Sequence, residues 1–400
     1  MRALITATEA QRIIAENLPQ LPAIDCPLEK CAGRILREAI VADRPFPPYN
    51  RAMMDGYAIR VADIAKVETF KVTAQAPAGT PEQALSESIG SCIEIMTGAV
   101  VPVGADCVVP YEETEQKEDG SIRLIAPEDQ HPGDAIHPLG SDHNSGSALI
   151  EAGRILGSRE ISIAATCGYA SLKVSKLPSI TIIGTGDELV PVTETPKPHQ
   201  IRRSNAYAME TALTLAGFHA LQSVHLADES ESIQAELAKL IEANDILIIS
   251  GGISMGKKDF IPEALTANGL DCKFHGVAQK PGKPLGFWSS QQCAVFALPG
   301  NPLSTLTCLH HYVLPNLALA LKQSGTISRP SVTLTEPAKA HPRLTVYLPV
   351  KLSPGNQATP HPPQNSGDLV SILESHGSIQ LPPSDQPYPA GSEFTFYHWY

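Results

Sequence analysis

Apolar residues recur at helical spacing near the N-terminus of the chain. Thr8–Gln11 has the pattern of a capping box. After it, Ile13, Ile14 and Leu18 fall on one face of a helix. A second helical pattern extends from about Leu28 to Ile40 and ends at a proline-rich sequence. The N-terminal segment is therefore predicted to contain two helices.

The pattern changes to short alternating runs between about residues 69 and 136, which predicts a small β-rich module. From Ser158 to Cys167 the spacing is helical again. Because the helical pattern resumes after the β-rich module, we expect one domain to contain another as an insertion. The predicted boundaries are a mixed N-terminal domain of residues 1–45 and 141–177 and an inserted β-rich domain of residues 46–140.

From residue 178 onward, predicted strands alternate with predicted helices. The strands have the sequences SITIIG, ALQSVHL, DILIIS and CAVFAL, and the helices cover about 204–216, 231–244 and 302–322. Such alternation predicts a three-layer α/β domain, residues 178–323, with a parallel sheet that binds ligands at the carboxyl ends of its strands. Residues 324–400 return to a proline-rich β pattern. The chain is thus predicted to be a multidomain α/β plus β protein.

Composition and charge exclude several classes of function. The formal net charge of −12 argues against a nucleic-acid partner, which requires a broad basic surface, and means that local lysines or backbone amides must hold any anionic substrate. The eight cysteines include no CxxC pair and are typical of buried thiols in a reducing compartment. No apolar run is long enough to span a membrane, and no signal peptide is evident. We therefore expect a cytoplasmic protein.

The loop after the strand DILIIS contains a partial nucleotide-binding motif. Gly251–Lys257 fits the P-loop pattern G-x-x-x-x-G-K, but Lys258 occupies the position of the magnesium-binding Ser or Thr. A protonated lysine has no lone pair for a metal ion, so a P-loop nucleotide site is disfavoured. The glycine amides and Ser254 still predict an anion cradle, with the carboxylate of Asp259 beside it.

The loop after the strand SITIIG resembles the start of a dinucleotide-binding fingerprint. The pattern G-x-G-x-x-G fails because Leu189 stands in place of the third glycine. The residues that remain are Thr185, Asp187 and Glu188 in a tight turn. Two interpretations stay open, a ligand-binding turn and an ordinary acidic surface turn.

A third loop, Ala297–Leu306, precedes the last predicted helix. Asn301 is suited to the N-cap, Pro302 to the first helical position and Ser304 to the first turn. The helix start offers free N–H groups to an anion, with Gly300 leaving room, although an ordinary helix start has the same sequence features.

Two lysines lie between the second and third loops. Lys280 and Lys283 flank a Pro-Gly turn, so that two positive charges are held on a stiff backbone. Together, the loops offer acidic residues for a hard divalent cation and basic groups for an oxyanion. This combination predicts phosphate or oxyanion chemistry with magnesium.

Six short motifs give the chain a specific resemblance to a known family. They are MDGYA (Met54–Ala58), MTGA (Met96–Ala99), TGDEL (Thr185–Leu189), SGGISMG (Ser250–Gly256), KPGKP (Lys280–Pro284) and PGNPLS (Pro299–Ser304). As a set, they resemble the molybdopterin molybdenumtransferases, which include the bacterial MoeA proteins and the E domain of gephyrin. The resemblance implies insertion of molybdenum from molybdate into adenylylated molybdopterin, with Mg²⁺-dependent hydrolysis of the adenylate to AMP.

The resemblance also implies a homodimer of four-domain subunits, with the N-terminal domain taking part in dimerisation. The active cleft would lie between the α/β domain of one subunit and the N-terminal part of the other. Candidate partners are a molybdopterin adenylyltransferase and the molybdoenzymes that receive the product.

The family motifs imply roles for individual residues. The residues implied to be catalytic are Asp55, Asp142, Glu188, Asp228, Asp259 and Lys280, of which Glu188, Asp228 and Asp259 are the implied metal ligands and Asp142 is the one lent by the partner subunit. The residues implied to bind substrate are Thr185, Gly186, Asp187, Ser250, Gly251, Gly252, Ser254, Gly256, Lys280, Gly282, Lys283, Pro299, Gly300, Asn301, Pro302 and Ser304.

Four positions depart from the family pattern. They are Arg203, where the family usually has an aspartate, and His137, Gly276 and Pro349, where it often has a basic residue. Two other functions are considered: a non-catalytic dimeric pterin-binding or scaffold protein like the gephyrin E domain, and a nucleotide-processing enzyme related to the competence-damage (CinA-like) family. The motifs MDGYA and MTGA argue against the latter, and the intact acidic residues and lysines favour catalysis over the scaffold.

Overall fold

The computed structural model describes residues 4–227, 230–253, 260–324 and 329–399. The chain forms two compact units. The larger unit is made of the described parts of Met1–Arg37, Ala152–Gly157 and Ser171–Tyr400, and the smaller unit of Glu38–Glu151 and Ser158–Ala170. The four domain boundaries given above remain a prediction. Across the ranges described, every helix is too short or too polar to cross a membrane.

The first helix of the larger unit is Ala7–Glu16. Its N-cap is Thr6, whose Oγ1 accepts the backbone N–H of Glu9 at 3.1 Å. The predicted capping box at Thr8 is therefore wrong by two residues, because Thr8 already lies inside the helix. The predicted apolar face is present, and Ile14 is fully buried in the main core.

The predicted second helix between Leu28 and Ile40 is wrong. Only the single 3₁₀ turn Leu28–Lys30 is helical. Beyond it the backbone bonds to neighbouring chain segments, as when Leu36 N–H donates to the carbonyl of Arg154 at 2.9 Å. Pairing with distant strands has thus replaced the i to i+4 bonds that the apolar spacing suggested.

A six-stranded sheet forms the centre of the larger unit and confirms the predicted α/β fold. In spatial order its strands are Leu221–Leu226, Ile180–Thr185, Ile246–Ser250, Ala294–Leu298, Gly286–Ser289 and Asp271–His275. The first four are parallel, as predicted. Gly286–Ser289 runs antiparallel to both of its neighbours, and with Asp271–His275 it extends the sheet beyond the predicted strands.

Helices cover both faces of this sheet. They are Asn205–Leu215, Ser230–Ala243, Ile261–Ala267, Pro302–Cys308 and Leu314–Ala320, and the last two are joined by the π-helical segment Leu309–Val313. Successive residues of the strand Ile246–Ser250 pack on opposite faces of the sheet. Ile248 belongs to the core that contains Leu213, and Ile249 belongs to the core that contains Leu265. This alternation produces the predicted three layers.

The C-terminal part of the larger unit is a closed five-stranded barrel. Its strands are Ser331–Leu334, Thr345–Ser353, Gln357–Pro360, Gly377–Leu381 and Glu393–His398, with the 3₁₀ turn Ser371–Glu374. The barrel closes because the long strand Thr345–Ser353 pairs with strands on both sides. Val350, Ile379 and Phe396 fill its core. The predicted C-terminal β domain is therefore confirmed.

Polar side chains of the π-helical segment contact the barrel in a buried cluster. His311 Nε2 lies 2.8 Å from Ser378 Oγ, and Tyr312 Oη lies 2.7 Å from Tyr347 Oη. The Tyr312 hydroxyl also donates to Gln279 Oε1, at the start of the two-lysine loop. The α/β layer, the lysine loop and the barrel are thus joined through one hydrogen-bonded network.

The smaller unit is built mainly from short strands. Its four-stranded sheet has the order Lys71–Ala76, Ser91–Ile95, Gly56–Ile59 and Cys107–Pro110. Further antiparallel pairs are Arg51–Ala52 with Ile136–His137, Thr114–Gln116 with Ile122–Leu124, and Ile40–Val41 with Ala148–Ile150. The helical elements are Ser158–Thr166 and the 3₁₀ turns Val61–Lys66, Tyr111–Glu113 and Pro127–Asp129. Gly168, at φ +80°, ends the predicted helix that begins at Ser158.

Candidate active site

The three predicted strand-end loops lie side by side at one edge of the α/β sheet. Ser250 is in register with Gly184 on one side and with Leu298 on the other. Gly251 N–H donates to the carbonyl of Leu298 at 3.2 Å. An open cavity of about 700 Å³ lies over these strand ends. Its position matches the general rule that ligands of open α/β sheets bind beyond the carboxyl ends of the strands.

Two consecutive glycines form the floor of the cavity. Gly251 has φ +100° and Gly252 has φ +66°. A Cβ at Gly251 would lie 2.7 Å from the carbonyl oxygen of Thr185, and one at Gly252 would lie 2.9 Å from Thr185 Oγ1. Both positions therefore require glycine, because of the left-handed backbone and because of the close approach of the neighbouring strand.

The hydroxyl of Thr185 lies beside these two glycines. The residue is 3% exposed and lines the cavity, and its Oγ1 has no hydrogen-bond partner among the described residues. Buried hydroxyls are normally paired, since an unpaired one has lost its water without replacement. Thr185 Oγ1 is therefore suited to bind a polar group of a ligand.

Asn205 ties the second and third loops together. Its Nδ2 atom lies 2.9 Å from Ser250 Oγ, 2.7 Å from the Gly300 carbonyl oxygen and 3.1 Å from Thr305 Oγ1. The Thr305 hydroxyl in turn donates to the Pro299 carbonyl at 2.6 Å. Sequence reasoning missed both Asn205 and Thr305. The sequence signal for Asn205 was the Ser-Asn pair that directly follows Arg203.

The first loop brings a carboxylate to the cavity. Glu188 is exposed and lines the cavity, and both of its carboxylate oxygens would lie 2.7 Å from a Cβ at Gly186, which has φ +133°. Asp187 is exposed and is not among the lining residues. A carboxylate folded over a glycine turn, as Glu188 is, has the chemistry of a ligand for a hard cation.

Glu188 is the one predicted metal ligand among the described residues. Asp228 and Asp259, together with the predicted substrate residues Ser254 and Gly256, lie outside the described residues. Within the described part, no group of three or more His, Cys, Asp or Glu side chains is arranged to hold a metal ion.

Four residues of the third loop line the cavity: Pro299, Gly300, Asn301 and Pro302. Asn301 occupies the N-cap position, but its side chain makes no capping bond and instead donates to Ser366 Oγ at 2.7 Å. The predicted capping role of that side chain is therefore wrong. Ser304 is 4% exposed and is not among the lining residues.

The two predicted lysines are exposed and do not line the cavity, whereas Pro284 at the end of their loop does. Gly282, between them, has φ +89°, and a Cβ there would lie 2.6 Å from Cys308 Sγ. Gln279 Nε2 donates to the Gly282 carbonyl at 3.1 Å. The loop is therefore fixed by buried contacts, while Lys280 and Lys283 extend into solvent.

Three of the four positions that depart from the family pattern, Arg203, Gly276 and Pro349, belong to the larger unit. Arg202 and Arg203 both line the cavity, and Arg202 Nε is bound by the Glu194 carbonyl at 3.0 Å. Gly276 and Pro349 are buried and do not line the cavity. At Gly276 the backbone has φ +108°, a left-handed conformation that favours glycine.

Asp55 and Asp142 belong to the smaller unit. The Asp55 carboxylate accepts the N–H and the hydroxyl of Thr97 at 2.6 and 2.8 Å, and these bonds lower the pKa of Asp55. His137 lies 2.8 Å from Asp142 and lowers the pKa of the Asp142 carboxyl. Both carboxylates are therefore ionised over the neutral pH range.

Three stretches that together span most of the chain match known families. Residues 5–168 match the MoeA N-terminal region (domain I and II), residues 181–319 a probable molybdopterin binding domain, and residues 331–399 the MoeA C-terminal region (domain IV).

Curated relatives and a solved structure match the whole chain. A molybdopterin molybdenumtransferase of Synechocystis sp. is 37% identical over 99% of this chain and 100% of its own length. One from Staphylococcus aureus is 30% identical over 97% of this chain and 94% of its own length. The crystal structure of a molybdopterin biosynthesis MoeA protein from Pyrococcus horikosii superposes with a TM-score of 0.84, at 29% identity and full coverage of both chains. The chain therefore belongs to the molybdopterin molybdenumtransferase (MoeA) family.

Proposed function

We propose that the protein acts in molybdenum cofactor biosynthesis, inserting molybdenum from molybdate into adenylylated molybdopterin. Water would cleave the phosphoanhydride bond of the adenylate and release AMP. The observation that carries the proposal is the buried Thr185 hydroxyl, which has no partner among the described residues and lies beside the Gly251-Gly252 floor of the cavity. That combination of a hydroxyl and closely approaching backbone suits an anionic phosphate group better than an apolar ligand.

The dimensions of the cavity support a substrate of this class. A volume of about 700 Å³ falls within the range typical of small-molecule and cofactor sites. Besides residues of the three strand ends, the cavity lining includes Tyr207 and Arg203. Because the net charge of the chain is −12, local cations such as Arg203 are needed to hold an anion.

Each residue has a defined task in the proposed reaction. The backbone at Gly251 and Gly252 and the Thr185 hydroxyl would bind phosphate oxygens, and Asn205 would keep the second and third loops at a fixed spacing. Glu188 would hold a Mg²⁺ ion together with Asp228 and Asp259. When bound, that ion supplies positive charge to offset the charge that develops on the phosphates. Lys280 and Lys283 would bind molybdate or phosphate from the solvent side.

The wider setting of the reaction is also part of the proposal. We infer a cytoplasmic homodimer in which Asp55 and Asp142 of the smaller unit complete the cleft of a second subunit. An adenylyltransferase that supplies the substrate and molybdoenzymes that accept the product are the proposed partners.

The test is AMP release by the purified full-length protein. Adenylylated molybdopterin, molybdate and Mg²⁺ should yield AMP and metallated cofactor, and omission of Mg²⁺ should stop the release. Binding of the adenylylated substrate without AMP release would contradict the transferase and support the non-catalytic scaffold. As an internal check, Asp259→Ala should abolish release while thermal unfolding stays unchanged, and full activity would remove Asp259 from the site.

A further inference from the structure

Three side chains of the smaller unit form a hydrogen-bonded relay. Arg51 Nη2 lies 3.1 Å from His137 Nδ1, and His137 Nε2 lies 2.8 Å from Asp142 Oδ1. Asp142 is a carboxylate of the proposed cleft, whereas Arg51 and His137 have no role in the function proposed above.

Backbone bonds hold all three residues of the relay in place. Arg51 and His137 lie directly opposite each other in the antiparallel pair of Arg51–Ala52 with Ile136–His137, where cross-strand side chains are close enough to interact. Asp142 N–H donates to the carbonyl of Phe46 at 2.9 Å, on the segment that leads into the same strand. Main-chain contacts therefore bring the three residues of the relay together.

The direction of the two hydrogen bonds is fixed by chemistry. A guanidinium only donates and stays protonated, so His137 Nδ1 must accept from Arg51. The imidazole is then neutral and carries its proton on Nε2, which donates to the Asp142 carboxylate. Ser141 Oγ donates to the same carboxylate oxygen at 3.3 Å, and His143 is the other titratable group that acts on it.

We propose that His137 is a positioning residue for Asp142, with Arg51 donating to the opposite nitrogen of the ring. The inference rests on the proposed function, in which Asp142 contributes to the cleft. It also gives a reason for one departure from the family pattern. His137 connects Arg51 to Asp142 through two hydrogen bonds. The positive charge of a guanidinium therefore still acts on this carboxylate, across the imidazole ring.

The tautomer can be measured without any substrate. In ¹⁵N spectra of the full-length protein with labelled histidine, the signals that disappear in His137→Gln should show a neutral ring protonated at Nε2. Arg51→Met should shift the Nδ1 resonance, because this nitrogen then no longer accepts from a guanidinium, while Nε2 keeps its proton towards Asp142. A wild-type ring protonated at Nδ1, or an Nδ1 resonance that Arg51→Met leaves unchanged, would overturn the relay.

Activity measurements test the positioning role. His137→Phe keeps a ring but removes both hydrogen bonds, so kcat for AMP release should fall at least about ten-fold with little change in KM. His137→Gln can accept from Arg51 and donate to Asp142, and should stay within about three-fold of wild type. His131→Phe is the matched control, since His131 also pairs with a carboxylate, Asp134, outside the relay.

The outcomes separate this inference from the function on which it rests. If the wild-type protein releases no AMP, the proposed function fails and the ¹⁵N spectra still decide whether the relay exists. If the wild-type protein is active and His137→Phe equals it, or His137→Gln is as impaired as His137→Phe, the positioning role is refuted. In ¹³C titrations, the pKa of Asp142 should rise in His137→Phe and not in His131→Phe.

Discussion

The Nδ2 atom of Asn205 lies 2.7 Å from the carbonyl oxygen of Gly300, although the two residues are 95 positions apart in the sequence. One amide group thus connects the start of a helix with the loop that precedes another helix, directly at the edge of the cavity. The spacing of two of the three strand-end loops depends on this contact.

Removal of that amide should impair the site more than the fold. We expect Asn205→Ala to lower the free energy of unfolding by about 1–3 kcal/mol, because buried acceptors lose their donor, and to lower kcat/KM for AMP release about ten-fold. Asn268→Ala is the control, since Asn268 makes comparable amide bonds to Gln234 and Ala264 far from the cavity. Urea unfolding and AMP assays on both variants provide the measurement. Equal activity of the two variants would contradict the role of Asn205.

The glycine floor allows a test with a matched pair. Gly252→Ala would place a Cβ 2.8 Å from Ile261 Cγ1, whereas at Gly269, with φ +82°, a Cβ would meet nothing within 4 Å. Both alanine variants should lose about 1–2 kcal/mol from the left-handed backbone. Only Gly252→Ala should lose more stability than this and most of its AMP release. A Gly252→Ala protein as active as Gly269→Ala would show that the close approach is not required.

Two threonines of one strand should respond in opposite ways to the same substitution. Thr181 Oγ1 donates to Asn244 Oδ1 at 2.9 Å, so Thr181→Val should cost about 1–3 kcal/mol of stability without affecting activity. Thr185→Val removes a hydroxyl that has no partner in the described part of the chain, so stability should be kept. Its affinity for adenylylated molybdopterin should fall about ten-fold, as expected when one hydrogen bond to a charged group is lost. Calorimetric binding and thermal unfolding distinguish the two, and unchanged affinity would exclude Thr185 from the site.

Burial of His310 predicts a loss of stability in mild acid. Desolvation lowers the pKa of His310 to about 4 from 6.5, and that of the fully buried His311 well below its usual value. Between about pH 6.5 and pH 4, the unfolded chain therefore binds more protons than the folded chain. The stabilisation is complete above about pH 6.5 and decreases as the pH falls towards 4, by roughly 2 kcal/mol for His310 at pH 5.

Urea unfolding of wild type and His310→Phe between pH 7 and pH 4.5 measures this effect. The substituted ring can still pack against Trp399, which lies 5.4 Å away between ring centroids. The wild-type protein should lose more stability on acidification than the variant. Parallel curves would mean that His310 does not contribute to the pH dependence.

Local patterns predicted the parts of the fold that depend on local physics. The strand Ile246–Ser250 and the glycine turn after it follow from a short apolar run and two adjacent glycines. The helix that ends at Gly168 follows from its spacing and its C-terminal glycine. The error at Leu28–Ile40 has the opposite origin, because that segment bonds to strands far away in the sequence and apolar spacing does not reveal the partner.

The candidate site was predictable only as far as the backbone determined it. Glycine and strand-end positions marked the floor and the edge of the cavity. The contacts of Asn205 with Gly300 and Thr305 were not predictable, since they join segments that only the folded sheet brings together. The side chain of Asn301 was assigned to its own helix, although Ser366 of the barrel region binds it. Motif spacing located the loops and could not identify the side chains that fasten them.

The π-helical segment Leu309–Val313 has a consequence for dissection of the protein. Its His311 and Tyr312 bind Ser378 and Tyr347 of the barrel, and Tyr312 also binds Gln279 ahead of the lysine loop. A chain cut near residue 330 would leave these buried polar groups without partners and the lysine loop without one of its anchors. The α/β layer of this protein is thus not a self-sufficient module, and studies of its chemistry require the intact chain.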